Sequence, residues 1–265
     1  MMIDPERVAA IIAEIAETEM MPRFGRLKPR EVRQKSGPND LVTTIDEKVE
    51  GELKRALLDL RPGAAFIGEE AAAADPTIMG ALNGVAWVVD PIDGTRNFIN
   101  GVPEFGVIVA LVADGETQMG WIFAAPRQEC AIAVRGKRAT IAGEPIAVAK
   151  QSRPRPHGLR SLGWLPAERQ SRMRAALAAN FTTEPGHCAA YAYLRLARGE
   201  VDFKLSSRIH PWDHAAGALL LSEVGGETRW LDDGRPYAPQ PSRDAPLLSV
   251  AAGRDWAATA AALRV

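Results

Sequence analysis

The segment Trp87-Val88-Val89-Asp90-Pro91-Ile92-Asp93-Gly94-Thr95 ends an apolar run on two carboxylates spaced three residues apart. Proline restricts the backbone between them, and Gly94 can take a φ open to few other residues while letting backbone approach a ligand. Two acids converging at a strand end cannot both stay ionised without compensation, and a shared cation is the economical answer. The N–H groups of Gly94 and Thr95 would open the next turn as a phosphate cradle. Taken alone, the same residues also fit a capped turn, since Asp-Gly is common in turns. The spacing is neither the alternate-residue pattern of an EF-hand nor the D-x-D of aspartyl-phosphate enzymes.

Other acids stand at comparable places. Gly68-Glu69-Glu70 follows the apolar Ala65-Phe66-Ile67, and Asp213 opens a helix in His210-Pro211-Trp212-Asp213-His214-Ala215-Ala216-Gly217. As a plain helix-start acid, Asp213 would contribute a few tenths to about 1 kcal/mol through the macrodipole. Lys35-Ser36-Gly37-Pro38-Asn39-Asp40-Leu41-Val42-Thr43-Thr44-Ile45-Asp46 joins a lysine, a turn and an acid just inside a helix. A donor set made only of oxygens suits Mg²⁺ rather than zinc. His210 and His214 stand four apart, but Pro211 between them and the lack of a zinc-protease glutamate favour a loop-orienting role. No G-x-G, Walker A loop or G-x-S-x-G elbow occurs.

These groups need elements to hold them. Asp4-Pro5 starts a helix with Val8, Ile11, Ile12 and Ile15 at helical spacing, ended by Pro22. Residues 23 to 39 are basic and irregular. A second amphipathic helix begins near Thr43-Thr44 and stops before Pro62-Gly63. Short apolar runs at 65–67, 85–89, 107–112 and 120–123, with a turn at Asp114-Gly115, read as antiparallel strands rather than βαβ units. Residues 168–179, 188–198 and 212–224 read as helices and 201–205 as a strand, with 150–158 as the best linker. The expected class is α+β, with one unit over 1–265 divided into an N-terminal part of about 1–149 and a C-terminal part of about 150–265.

Composition narrows the function. The chain of 265 residues carries 32 Lys+Arg against 33 Asp+Glu, a net charge of −1. That balance argues against nucleic-acid binding, which rests on surplus positive charge, and against an acidic tail or a disordered chain. No stretch approaches the roughly 18 apolar residues of a membrane helix. The acidic N-terminus is unlike a secretory signal, and Cys130 and Cys188 lack zinc or redox spacing, so a cytoplasmic protein with free thiols is expected.

The four segments, in this order, resemble the inositol monophosphatase family of Mg²⁺-dependent, lithium-sensitive phosphatases. Trp87 to Phe98 matches its main signature. Trp212-Asp213-x-Ala215-Ala216-Gly217 with Gly225-Gly226 matches its second, and Arg135 to Ala139 with Gly143 to Ile146 also fit. The resemblance implies a layered α-β-α-β-α fold, two or three Mg²⁺ ions, a homodimer and a small phosphorylated substrate. It implies that Glu69, Asp90, the carbonyl of Ile92, Asp93 and Asp213 bind metal, with Glu70 behind them or acting through water. Asp46 and Thr95 would position and deprotonate the attacking water, with Glu69 also in the catalytic set. The amides of Gly94 and Thr95 would hold phosphate, and Lys35 would lie in a mobile loop.

Two departures bear on substrate. Ser206 stands seven residues before Asp213, where inositol phosphatases usually carry a polyol-binding glutamate, and His187-Cys188-Ala189-Ala190 replaces Gly-Ser/Thr-Ala-Ala. Ala189, Ser206 and Arg208 are the expected substrate contacts. With Lys204 and Arg208 nearby, the change weakens polyol binding and favours a second anionic group. The alternatives are a phosphatase for histidinol phosphate, fructose 1,6-bisphosphate or 3′-phosphoadenosine 5′-phosphate, or a regulatory protein of the transcription- and ribosome-linked branch. Only the basic run 23–35 speaks for the last.

Overall fold

The computed structural model describes residues 3–37, 40–149, 153–241 and 245–264, without the side chains of 29, 35–37 and 40. Asp4 caps helix α1 (Pro5–Ile15) by accepting the Glu6 N–H at 3.1 Å. The helical path then continues through a π turn over Ala16–Met20 and a 3₁₀ turn over Met21–Arg23, so Pro22 sits inside a turn rather than ending the helix. The stretch expected to be irregular contains β1 (Val32–Gly37), paired antiparallel with β2 (Asp40–Thr43). Helix α2 (Thr44–Leu60) follows.

The larger sheet comprises β3 (Ala65–Gly68), β4 (Val85–Asp93), β5 (Gly106–Ala113), β6 (Glu116–Ala124), β7 (Glu129–Val134), β8 (Thr140–Ile141) and β9 (Glu144–Pro145), in that spatial order. Pairing from β4 to β9 is antiparallel, as expected for β4 to β6. The exception is β3, which pairs parallel with β4. Helix α3 (Glu69–Ala74) and a 3₁₀ segment over Pro76–Asn83 carry the chain back before β4 begins, which is what a parallel pair requires. Asp114 and Gly115 make the β5–β6 turn with φ of 51° and 77°, the left-handed pair that matches hairpin twist.

The C-terminal part builds a smaller sheet from β10 (His157–Ser161), β11 (Thr182–Pro185), β12 (Phe203–Ser206), β13 (Glu227–Trp230) and β14 (Leu247–Val250), ordered β11-β10-β12-β14-β13. Of the proposed linker, 150–152 lie outside the described residues, and β10 begins at its far end. Helices α4 (Thr95–Ile99), α5 (Ala167–Asn180), α6 (Ala189–Ala197), α7 (Pro211–Glu223) and α8 (Trp256–Leu263) complete the fold.

Strand β4 is apolar on both faces, so it is buried on both. Trp87 and Val89 pack with Val8, Ile12, Val49 and Leu53 of α1 and α2. Ala86 and Val88 pack the opposite way, in one core with α6 and α7. Those two helices also touch the smaller sheet, whose far face packs Phe203, Leu205 and Leu248 against Met173 and Leu177 of α5 and Trp256 of α8. The layers therefore run α-β-α-β-α. Small residues within α7 and on β6 beneath it set its depth: a Cβ on Gly217 would lie 2.1 Å from the Tyr193 ring, and one on Gly120 of β6 2.8 Å from the Ala216 Cα. The second signature is thus partly a packing code.

Candidate active site

Two acids three apart on a regular strand would face opposite sides of the sheet. Here the register with β5 jumps between Asp90↔Ile108 and Asp93↔Gly106, so that Pro91 and Ile92 oppose Val107 alone. This is a β-bulge, and Pro91, with no N–H for the ladder, lies inside it. The bulge turns Asp93 toward the side Asp90 faces. Gly94 then takes φ 85°, and a Cβ there would lie 2.9 Å from the Glu104 carbonyl oxygen.

Asp213 arrives from the first turn of α7, and one carboxylate oxygen from each of Asp90, Asp93 and Asp213 lies within 4.8 Å of the others. Glu69 lies at the start of α3 and lines the same cavity. Its helix is anchored by Glu50 of α2, a residue the motifs do not flag: the Glu50 carboxylate accepts the N–H groups of Glu70 and Ala71 at 2.8 and 2.9 Å. A signal existed, since Glu50 is one helical turn from Asp46 on the buried face of α2. Asp46 forms a capping box with Thr43, accepting the Thr43 N–H at 2.8 Å. The Thr95 hydroxyl lies 2.9 Å from the Ile92 carbonyl oxygen and 3.3 Å from Asp46 Oδ1.

The electrostatics of this cluster are unfavourable as they stand. Loss of hydration, then the charges of Glu69, Asp93 and Asp213, raises the Asp90 carboxyl well above its usual range. Loss of hydration likewise raises Asp213 to about 7, with Glu69 and Asp93 adding to it. Asp93 is also raised by burial, and three donors oppose the rise: the Cys188 thiol at 2.8 Å, the Ala190 N–H at 2.6 Å and the Ala189 N–H. Asp90 Oδ1 is buried with no hydrogen-bond partner among the described residues. An orphaned oxygen among converging carboxylates fits a hard divalent cation.

The sequence profile of the inositol monophosphatase family matches residues 4–264. The chain belongs to that family. Its members are metal-dependent phosphatases that hydrolyse phosphoric monoesters. The chain is 31% identical over 210 residues to the inositol-1-monophosphatase of Bacillus subtilis, covering 78% of each. To the Nus factor SuhB of Haemophilus influenzae it is 30% identical over 210 residues, covering 76% of each. To the histidinol-phosphatase of Mycobacterium tuberculosis it is 30% identical over 238 residues, covering 86% of this chain and 88% of that one. The solved extragenic suppressor protein suhB of Bartonella henselae shares the fold, with a TM-score of 0.82 over 98% of both chains at 23% identity.

The departures from the inositol monophosphatase pattern converge on the same cavity of about 420 Å³. Strand β12 alternates: Phe203 and Leu205 enter the core, while Lys204 and Ser206 line the cavity, with Lys204 Nζ donating to Ser206 Oγ at 2.8 Å. Burial lowers Lys204 to about 8 against the pull of Asp213 and Asp93. Cys188 points at Asp93, and burial and that carboxylate hold its thiol protonated. Ala189 and Arg208 line the cavity as well, with Arg208 donating from Nε to His210 Nε2 at 2.8 Å. His214 Nε2 faces the Arg208 carbonyl at 3.1 Å, so it carries the proton, and Nδ1 accepts from the Tyr193 hydroxyl at 2.9 Å. That bond ties the loop to α7, as expected of this histidine.

The cavity therefore unites Glu69, Asp90, Ile92, Asp93, Gly94, Thr95, Ala189, Ser206, Arg208 and Asp213. Asp46 joins through Thr95. Among the described residues Glu70 does not line it, and its backbone serves Glu50. The backbone of Lys35 lies on β1, and its side chain is outside the described set. Motif reading missed Glu50 and the thiol of Cys188 because their partners are distant in sequence.

Proposed function

We propose that the chain is a Mg²⁺-dependent phosphomonoesterase for a small phosphorylated alcohol of the inositol monophosphate kind, transferring the phosphoryl group to water without a phosphoenzyme. The observation that carries this is the convergence of Asp90, Asp93 and Asp213 within 4.8 Å, with Asp90 Oδ1 buried and unpartnered. In this reading Glu69, Asp90, the Ile92 carbonyl, Asp93 and Asp213 hold two or three ions, with Glu70 behind them. Bound cations lower the pKa of water and neutralise charge on the leaving oxygen. Thr95, set between Ile92 and Asp46, orients the attacking water, and Asp46 accepts its proton. The Gly94 and Thr95 amides bind phosphate at the left-handed turn, and Lys35 belongs to the closing loop. Ala189, Ser206 and Arg208 meet the alcohol portion.

The homodimer, cytoplasmic location, lithium sensitivity and action as a single unit are part of the same proposal. The regulatory reading gains little, because within the basic run Arg23 is paired with Glu31 and Arg33 with Glu47. Phosphate release from a panel of esters with Mg²⁺, and again after chelation, tests the function. Release that depends on Mg²⁺ is expected, and release undiminished by chelation overturns the reading.

A further inference from the structure

The rim of the cavity away from the acids is basic, and among the described residues two of its arginines lack the carboxylate partners that arginines elsewhere have. In the same C-terminal part Arg169 pairs with Asp232, Arg195 with Glu184, Arg198 with Glu129 and Arg254 with Asp202. Arg160 of β10 and Arg174 of α5 line the cavity and form no such pair among the described residues. Each is tethered to a neutral group instead. Arg160 Nε donates to Thr183 Oγ1 at 3.1 Å, and Arg174 Nη2 donates to Gln170 Oε1 at 3.2 Å. A neutral tether aims a guanidinium without cancelling its charge. Beside them Arg208 stacks on Trp164, its Cζ 4.6 Å from the ring centroid, and Trp164 is 51% exposed at this rim.

Arg160 and Arg174 share a cavity with carboxylates and yet, among the described residues, are not paired with them. The acids lie on the floor, at the end of β4 and the start of α7, while Arg160 and Arg174 come from the far sheet and its outer helix. An uncancelled guanidinium facing a cavity matches an anion brought in from outside, because its donors fit carboxylate or phosphate oxygens two at a time. A polyol would be better served by an acceptor, and the side chain next to Lys204 on β12 is the neutral Ser206.

We propose that Arg160 and Arg174 form a second anion subsite, so that the substrate is a phosphate monoester whose alcohol portion carries another anionic group, a phosphate or a carboxylate. This rests on the phosphatase reading of the acidic floor and specifies its substrate class.

The test compares kcat/KM with Mg²⁺ for inositol 1-phosphate, for 2-phosphoglycerate, which adds a carboxylate, and for fructose 1,6-bisphosphate, which adds a phosphate. At least one doubly anionic ester is expected to exceed inositol 1-phosphate by tenfold or more, and the better one identifies the second group. In the Arg160→Gln/Arg174→Gln double variant that ratio is expected to fall at least tenfold, through KM rather than kcat. A wild type that favours inositol 1-phosphate, or a ratio the double variant leaves unmoved, overturns the subsite. If no ester releases phosphate, the phosphatase reading fails separately. Quenching of Trp164 emission, with Trp164→Phe as blank, then decides: saturable quenching by a doubly anionic ester, lost in the double variant, supports the subsite, and its absence overturns it.

Discussion

Strands β4 and β12 both end at the cavity, one from each sheet, and they deliver opposite charges by different devices. Strand β4 needs a bulge to bring Asp90 and Asp93 to one side, and it leaves Asp90 Oδ1 without a partner among the described residues. Strand β12 needs only its ordinary alternation to present Lys204 and Ser206, with Lys204 Nζ donating to Ser206 Oγ at 2.8 Å. The acidic side is electrostatically incomplete without a cation. The β12 side holds no acid of its own, so a change there alters the surroundings of the alcohol portion and leaves the three converging carboxylates in place.

Replacing one residue on each side separates the two roles. Asp93→Asn should lower Mg²⁺-dependent phosphate release about a thousandfold or more, the scale of losing charge stabilisation at a reacting centre. Thermal unfolding without Mg²⁺ should be no less cooperative than in the wild type, because the variant removes buried like charge. Retained activity would break the assignment of chemistry to the β4 side.

The next effect is one of stability. Carboxyls raised in the folded state bind protons that the unfolded chain releases, so the metal-free protein loses stability as pH rises from the ordinary carboxylate range through about 7, where Asp213 titrates. A cation that replaces those protons should raise the melting temperature by about 5 to 10 °C at pH 8 and saturating Mg²⁺. The gain should be smaller at pH 6, where protons compete. Calorimetry at both values checks this, and a gain that shrinks toward pH 8 contradicts the shared cation site.

The smallest effect belongs to the β12 side. Ser206→Glu should raise turnover of inositol 1-phosphate severalfold by restoring an acceptor for hydroxyls, with Lys204 beside it to hold the new carboxylate. Steady-state kinetics on that ester gives the answer, and an unchanged or lower rate would move discrimination away from position 206.

Much of the acidic side is legible in the chain because its cues are local. An apolar run ending in Asp-Pro-x-Asp-Gly, the Thr43/Asp46 capping box and Pro211 before Asp213 each involve residues a few positions apart. The parallel pairing of β3, the β1–β2 hairpin and the elements after 225 were not legible. Strand partners there are chosen by packing between distant segments rather than by local propensity. Glu50 illustrates the boundary, since its place on the buried face of α2 follows from periodicity but its bond to the start of α3 depends on how the two elements dock.

Sequence alone determined which residues could hold a hard cation, that they end strands or open helices, and that a hydroxyl stands where a polyol-binding acid is usual. Only the tertiary structure decided that Asp90 and Asp93 face one way, that Cys188 and the start of α6 hold Asp93, and that Arg160 and Arg174 line the cavity without carboxylate partners among the described residues. The physical reason is range. Propensity, capping and turn geometry act over a few residues, whereas burial, charge pairing and hydration depend on whichever groups the two sheets bring together across the chain.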